Sequence, residues 1–390
     1  MADFQFSIRP RVWIGSDSLL RLPLFAGEFD VEGRAILVAD PLLHESGAIE
    51  RVTSLLEERG VKILLFDEIP ERASTRAADD ALRLARGSKA AFVIGLGGQK
   101  TLMIARTVAC LGRDRIDVDA FVDGASTRAD PLPLVEIPTS LRHGFMCDDA
   151  VFLSDARDRR ARLVRSSGMA PAAILIDPNL SSGLSSKLAA TCVIDGLMGA
   201  VESYISARAN FLSDHLLEKA IEFLARSLAV IIARPDDPSA RAEAWKGAFL
   251  AGLGQGMSAP GIGTAVSLAI NARHGVPKSS LAAILLPYSM EMGAKSRLEK
   301  IARIASLLGE EQREGGAAVE LTNAEAASKA IEWLRIRLGL LKIPSRLKDF
   351  DLTLDNLVET ARDARELDFV NWLPRAVSID DIFDFVKMAY

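Results

Sequence analysis

The sequence predicts an α/β, dinucleotide-binding-like domain over residues 1–180, followed by an all-helical domain over residues 181–390. Three observations predict it. Short apolar runs alternate with helical ones as far as residue 180, the pattern of parallel strands joined by right-handed crossovers. One of those runs ends in Gly95-Leu96-Gly97-Gly98, at the point where the next helix should begin. Past Asp177-Pro178-Asn179-Leu180 the alternation stops, and helical periodicity carries on from 185 to the C-terminus.

In chain order, residues 35–39 form an apolar strand closed by Asp40-Pro41. Residues 49–58 are amphipathic, with Ile49, Val52, Leu55 and Leu56 on one side and Gly60 after the end. A strand over 61–66 and a helix over 77–86 follow, the helix closed by Gly87. Residues 91–94, rich in β-branched and aromatic side chains, read as a buried parallel strand. The helical half is broken at Pro235-Asp236-Asp237-Pro238, at Gly275-Val276-Pro277 and in the polar stretch 310–316.

The glycines after the 91–94 strand would let backbone N–H groups approach a phosphate, with the helix N-terminus adding partial positive charge. Read alone, the same turn serves as a tight connection between strand and helix. Asp40 stands where a carboxylate could accept a hydrogen bond from a ribose hydroxyl and favour NAD over NADP. It reads equally as the turn residue before Pro41.

Composition narrows the partners. Hydrophobic residues make up 49% and charged residues 25% of 390, a globular balance. A net charge of −5 argues against nucleic acid or an anionic membrane as the main partner. The run Arg157-Asp158-Arg159-Arg160 is interrupted by acid and reads as a solvated face. No secretory signal and no spanning apolar run are expected. Three cysteines, Cys110, Cys147 and Cys192, fit a reducing cytoplasm better than a disulfide framework.

Several blocks together resemble the iron-containing (group III) alcohol dehydrogenase family. Residues 91–100 resemble its glycine-rich G-G-G-S-x-x-D-x-A-K stretch. Pro10-Arg11-Val12-Trp13-Ile14-Gly15 resembles its opening strand, and Ile137-Pro138-Thr139-Ser140 the start of its I-P-T-T-A-G-T-G-S-E loop. Asp195-Gly196-Leu197-Met198-Gly199-Ala200-Val201-Glu202 resembles its D-A-L-x-H-A-I-E helix, and Ala283-Ile284-Leu285-Leu286-Pro287 the strand-like run past its last metal ligand. The resemblance covers nearly the whole chain. It implies a dehydroquinate synthase-like fold with the site in a cleft between the domains.

The family holds a divalent metal with one Asp and three His. Here Asp195 matches the Asp, while the His positions fall on Gly199, Thr264 and Lys278. The expectation is therefore that no metal is bound. On the cofactor side Gly95, Gly97, Gly98, Thr139 and Ser140 remain. In contrast, Lys100 and Met103 replace the family's Ser and Asp, and Arg142-His143-Gly144-Phe145-Met146 replaces G-T-G-S-E. NAD or NADP is the cofactor implied.

Two polar clusters, Arg142, His143, Cys147, Asp148 and Asp149 in one loop and Arg273, His274 and Lys278 in another, read either as a rebuilt site or as solvated and paired charges. In the first reading His143 is an acid–base and Lys278 an electrophile beside Asp195. Lys278 is expected either to pair with Asp195 or to point to solvent. The activity implied is a metal-independent NAD(P)-linked oxidoreductase for a small alcohol or carbonyl. The alternative is a non-catalytic paralogue that binds a ligand or stabilises an active partner. A homodimer, or pairing with a homologous subunit, is expected.

Overall fold

A computed structural model describes residues 10–28, 33–166, 169–309, 313–314, 317–318 and 321–390. The chain divides into two compact units between Gly183 and Leu184. The polar stretch expected at 310–316 lies almost wholly outside the described residues.

The first unit is built on six parallel strands. In chain order its elements are β1 (Arg11–Ile14), α1 (Leu22–Glu28), β2 (Arg34–Ala39), α2 (Ala48–Glu57), β3 (Lys62–Phe66), α3 (Thr75–Ser88), β4 (Phe92–Gly97), α4 (Gln99–Leu111), α5 (Val118–Val122), β5 (Leu134–Pro138), β6 (Ala150–Ser154), β7 (Ala161–Arg165) and β8 (Ala173–Ile176). The sheet order is β1-β8-β5-β4-β2-β3. Ala39 pairs with Leu96 and Gly97 with Pro138, so β2, β4 and β5 end in line at one edge. The near-continuous burial of β2, β4, β5 and β8 is what a parallel sheet covered on both faces requires.

Helix α3 runs past Gly87 and is closed by Lys89 in the left-handed conformation (φ 56°). Strands β6 and β7 form a separate antiparallel hairpin. The basic run between them is largely exposed, as a solvated face should be, and is also held by ion pairs. Arg157 and Arg162 both pair with the buried Asp155, and Arg157 reaches Asp123 as well. Those hydrogen bonds and charges outweigh burial and hold the Asp155 carboxyl at about 2.

The second unit is helical: α6 (Ser186–Ile205), α7 (Phe211–Ala233), α8 (Pro238–Gly256), α9 (Ile262–His274), α10 (Lys278–Ala294), α11 (Leu298–Leu307), α12 (Asn323–Leu341), α13 (Leu354–Glu366) and α14 (Ile379–Ala389). A short antiparallel pairing joins Arg313–Glu314 to Ala317–Ala318. Residues 283–287, expected to be strand-like, lie inside α10. All five are buried, so the apolar character runs round the helix and leaves no period to read. Helix α6 meets the length and composition of a membrane span, contrary to the expectation that no run does. Its apolar stretch is 83% buried, as in the central helix of a helical core.

Candidate functional site

In the first unit the sheet order reverses between β2 and β4. From β2 the chain moves outward to β3, then crosses back to β4 and builds toward β5 and β8, with the first strand, β1, at the far edge. In open α/β sheets ligands bind beyond the carboxyl ends of the strands at such a reversal. Asp40 follows β2 there, Gly97 and Gly98 close β4, and Thr139 and Ser140 follow β5.

Gly97 has φ 152°, and a Cβ on it would lie 2.9 Å from Thr101 Oγ1 and 3.0 Å from Asp40 Cβ. The turn therefore demands glycine at this position. Gly98 is different: its Cβ would find only ordinary contacts, the nearest being Ser140 Oγ at 3.5 Å. It is the N-cap of α4, and no side chain caps the helix. Beside it the Gln99 Nε2 and Thr101 Oγ1 atoms are buried without a hydrogen-bond partner among the described residues. Two unsatisfied donors and an uncapped helix start fit an anionic group.

Gly95 takes a different role from the one expected. It lies inside β4, where its Cβ would stand 2.9 Å from Ala105 Cβ and 3.1 Å from Leu102 Cδ2. Its missing side chain lets α4 pack on the strand, and it does not reach the turn. The other expected positions are at the edge. Thr139 N–H donates to Gly97 O at 3.0 Å, tying the end of β5 to the turn. Ser140 Oγ donates to Arg142 O at 3.4 Å, and Arg142 Nη1 donates to Gln99 Oε1 at 2.7 Å. Asp40 Oδ1 accepts from Leu42 N–H at 3.2 Å, the turn role, while Oδ2 faces Lys100 Nζ at 3.9 Å.

His143 is corrected. Its side chain is fully buried, with Nε2 2.6 Å from Glu136 Oε2 and Nδ1 3.1 Å from Gly144 O. Both ring nitrogens are occupied by acceptors of the same unit, so the ring has no nitrogen to offer as an acid–base. Glu136 also binds Arg106, with Nε to Oε1 at 2.6 Å and Nη2 to Oε2 at 3.0 Å. Arg106 goes on to donate to the carbonyls of Phe145, Met146, Asp148 and Ala150. Burial alone would raise the Glu136 carboxyl, but Arg106 and His143 outweigh it and hold the group at about 2. This network pins the loop after β5, in which Leu141 and Phe145 take positive φ.

Burial pushes the Cys147 thiol up to about 12, away from the thiolate form. Asp148 pairs with Arg165, and Asp149 accepts from Ala170 N–H. Neither Arg106 nor Glu136 stood out in the sequence reading. The available signal was a charged residue inside an otherwise apolar buried element, Glu136 between Val135 and Ile137 and Arg106 in the middle of α4.

In the second unit α6 carries Asp195, Gly199 and Glu202 on one side, α9 supplies Thr264, and α10 begins at Lys278. Lys278 Nζ stands 2.5 Å from Asp195 Oδ1, the first of the two alternatives left open by the sequence. The Asp195 side chain is fully buried and that of Lys278 is 11% exposed. A Cβ on Gly199 would meet Gln255 Oε1 at 3.1 Å.

Thr264 turns to Glu202, which accepts from Thr264 Oγ1 (2.6 Å), Ser289 Oγ (2.9 Å) and the N–H groups of Gly261, Gly263 and Thr264. Glu202 is thus a capping carboxylate at the start of α9. Arg273 pairs with Asp363 and Glu359.

Comparison with known proteins agrees with this layout. The model described as iron-containing alcohol dehydrogenase matches residues 10–178, and that of the C-terminal part of the Fe-containing alcohol dehydrogenase family matches 189–390. Long-chain-alcohol dehydrogenase 1 of Geobacillus thermodenitrificans is 27% identical over 84% of this chain and 82% of its own length. Lactaldehyde reductase of Escherichia coli is 26% identical over 92% of each. The crystal structure of a 1,3-propanediol oxidoreductase superposes with a TM-score of 0.90 at 22% identity, covering all of both chains.

The expectation that no metal is bound is corrected by these findings. Both matching models describe iron-containing proteins, and two solved neighbours, each with a TM-score of 0.82 at 20% identity, are described as iron-containing alcohol dehydrogenases. Iron is a feature of the family, and three missing histidines do not establish its loss. The side chains at the expected positions do not fit the ion as they stand. Lys278 occupies Asp195, Thr264 is bound to Glu202, and among the described residues no group of three or more His, Cys, Asp or Glu side chains could hold a metal. No chemical step is therefore routed through it. With its sheet, its helical half and both family models in agreement, the chain belongs to the iron-containing alcohol dehydrogenase family.

Proposed function

We propose that the chain is an NAD(P)-linked oxidoreductase acting on a small alcohol or carbonyl substrate in the cytoplasm. The observation that carries this reading is the uncapped start of α4 at the sheet reversal, with Gln99 Nε2 and Thr101 Oγ1 buried and unsatisfied beside it. Those donors and the helix N-terminus would hold the cofactor's pyrophosphate. The nicotinamide, when bound, would supply hydride-transfer chemistry.

The chain's own part is the proton. In the reducing direction Lys278 would hydrogen-bond the carbonyl oxygen and give it a proton as negative charge develops there, with Asp195 fixing the ammonium. In the oxidising direction the same nitrogen takes the proton back. Titration calorimetry with NAD⁺ and NADP⁺ tests the cofactor half, and binding of neither removes the redox reading. Turnover of small aldehydes with the dinucleotide that binds tests the other half. Lys278→Met should keep dinucleotide affinity while lowering kcat at least tenfold.

A non-catalytic, ligand-binding subunit is the second reading. It is favoured by the commitment of the Lys278 ammonium to Asp195, and binding without turnover of any small alcohol or aldehyde would select it.

A further inference from the structure

We infer that Lys100 sets the cofactor preference of this chain by neutralising Asp40, so that the ribose end of the site accepts NADP as well as NAD. The inference rests on the cofactor reading above and deepens it. A carboxylate at the end of the strand preceding the reversal ordinarily selects NAD, because it accepts from the ribose 2′-hydroxyl and repels a 2′-phosphate.

Asp40 by itself predicts that outcome. The structure adds a second charge. Lys100, in the first turn of α4, places Nζ 3.9 Å from Asp40 Oδ2. Asp40 Oδ1 is already engaged by Leu42 N–H, so Oδ2 is the oxygen that faces the ammonium. The two side chains are 14% and 32% exposed, open enough to meet a ligand and sheltered enough for their charges to be felt.

Asp40 and Lys100 together carry no net charge. A ribose hydroxyl finds an acceptor in the carboxylate, and a 2′-phosphate finds a cation within reach of the same point. The separation exceeds hydrogen-bonding distance, so the ammonium keeps its donors for a ligand oxygen.

Titration calorimetry with NAD⁺, NADP⁺, adenosine 5′-monophosphate and adenosine 2′,5′-bisphosphate tests this without turnover. The wild type should bind the two dinucleotides within about tenfold of each other. Lys100→Ala should shift the preference toward NAD⁺ by about tenfold or more, with the bisphosphate weakened in parallel and the monophosphate little changed. Asp40→Asn keeps an acceptor for Leu42 N–H and should shift the preference toward NADP⁺.

A wild-type preference beyond tenfold overturns the inference, and so does a smaller shift in Lys100→Ala. Equal weakening of both dinucleotides would assign Lys100 to their shared phosphates and overturn it too. If neither dinucleotide binds the wild type, the cofactor reading itself fails. A failure confined to the ratio leaves that reading standing.

Discussion

The turn after β4 and the Asp195 region of α6 are both lined by polar side chains, yet they are finished in opposite ways. At the turn, donors are left over: α4 has no capping side chain, and Gln99 Nε2 and Thr101 Oγ1 are buried without acceptors among the described residues. Along α6 the Glu202 carboxylate is met by the unit's own donors. Glu202 receives five hydrogen bonds, and Asp195 Oδ1 receives the Lys278 ammonium. A buried donor without a partner costs about 1–3 kcal/mol, so its persistence points to a ligand. A carboxylate satisfied from within is explained by the fold. Compared with Glu202, the turn therefore carries the stronger sign of an external partner, and Lys278, at the start of α10, carries the only chemistry proposed beside Asp195.

The sharpest test of what internal pairing is worth lies beneath the turn. Arg106 and Glu136 are wholly buried and bound to each other. Arg106→Met should destabilise the protein by about 4 kcal/mol, because it strands the Glu136 carboxylate and frees four loop carbonyls. Urea unfolding at pH 7 measures this, and a loss below about 1 kcal/mol would mean the network holds little. The pH dependence follows from Glu136, whose folded carboxyl titrates at about 2 against an ordinary 4.5. Its contribution is complete above about 4.5 and is lost as pH falls toward 2. Glu136→Gln should therefore flatten the acid limb of the stability curve in that window. An unchanged limb would place the acid sensitivity elsewhere, for example in Asp155.

A smaller effect is expected where α10 meets Asp195. Lys278→Met removes a partner from a buried carboxylate and should cost on the order of 3 kcal/mol, less where water reaches the partly exposed lysine. Asp195→Asn combined with it should recover part of that loss. A double-mutant cycle would show coupling of about 1–3 kcal/mol. Coupling near zero would mean that the contact is an exchangeable one, and Lys278 would then lose its claim to a fixed ammonium.

Much of this was legible in the sequence, for identifiable reasons. Strand and helix alternation, the Gly97 turn and the Asp195 and Lys278 pair all follow from local pattern or from replacement at matched positions. His143 was misread because spacing places a side chain in a loop without saying which way it faces. Its orientation is set by Glu136, seven residues earlier on β5, and by Arg106, far off on α4. Residues 283–287 were misread because a helix buried all round has no polar face, so its run of apolar residues looks like a strand. Gly95 was misassigned because a glycine needed for helix packing and one needed for a phosphate look alike in sequence.

The same ambiguity between glycines gives the mildest perturbation and the most direct reading of the turn. Gly97→Ala forces a side chain into a backbone with φ 152° and against Thr101 and Asp40, so a loss of about 1–3 kcal/mol is expected. Gly98→Val sits in ordinary extended backbone, with its nearest neighbour at van der Waals distance, and should cost under about 1 kcal/mol. Its effect should fall on the ligand, because the added methyl groups stand where the uncapped N–H groups of α4 would meet a phosphate. The expected result is a protein with a near wild-type unfolding midpoint and no measurable dinucleotide binding. If affinity is retained, the pyrophosphate lies elsewhere and the unsatisfied donors at Gln99 and Thr101 need another partner. If stability collapses instead, Gly98 is a structural glycine like Gly97, and the contrast between an open turn and a self-satisfied Glu202 fails at its first term.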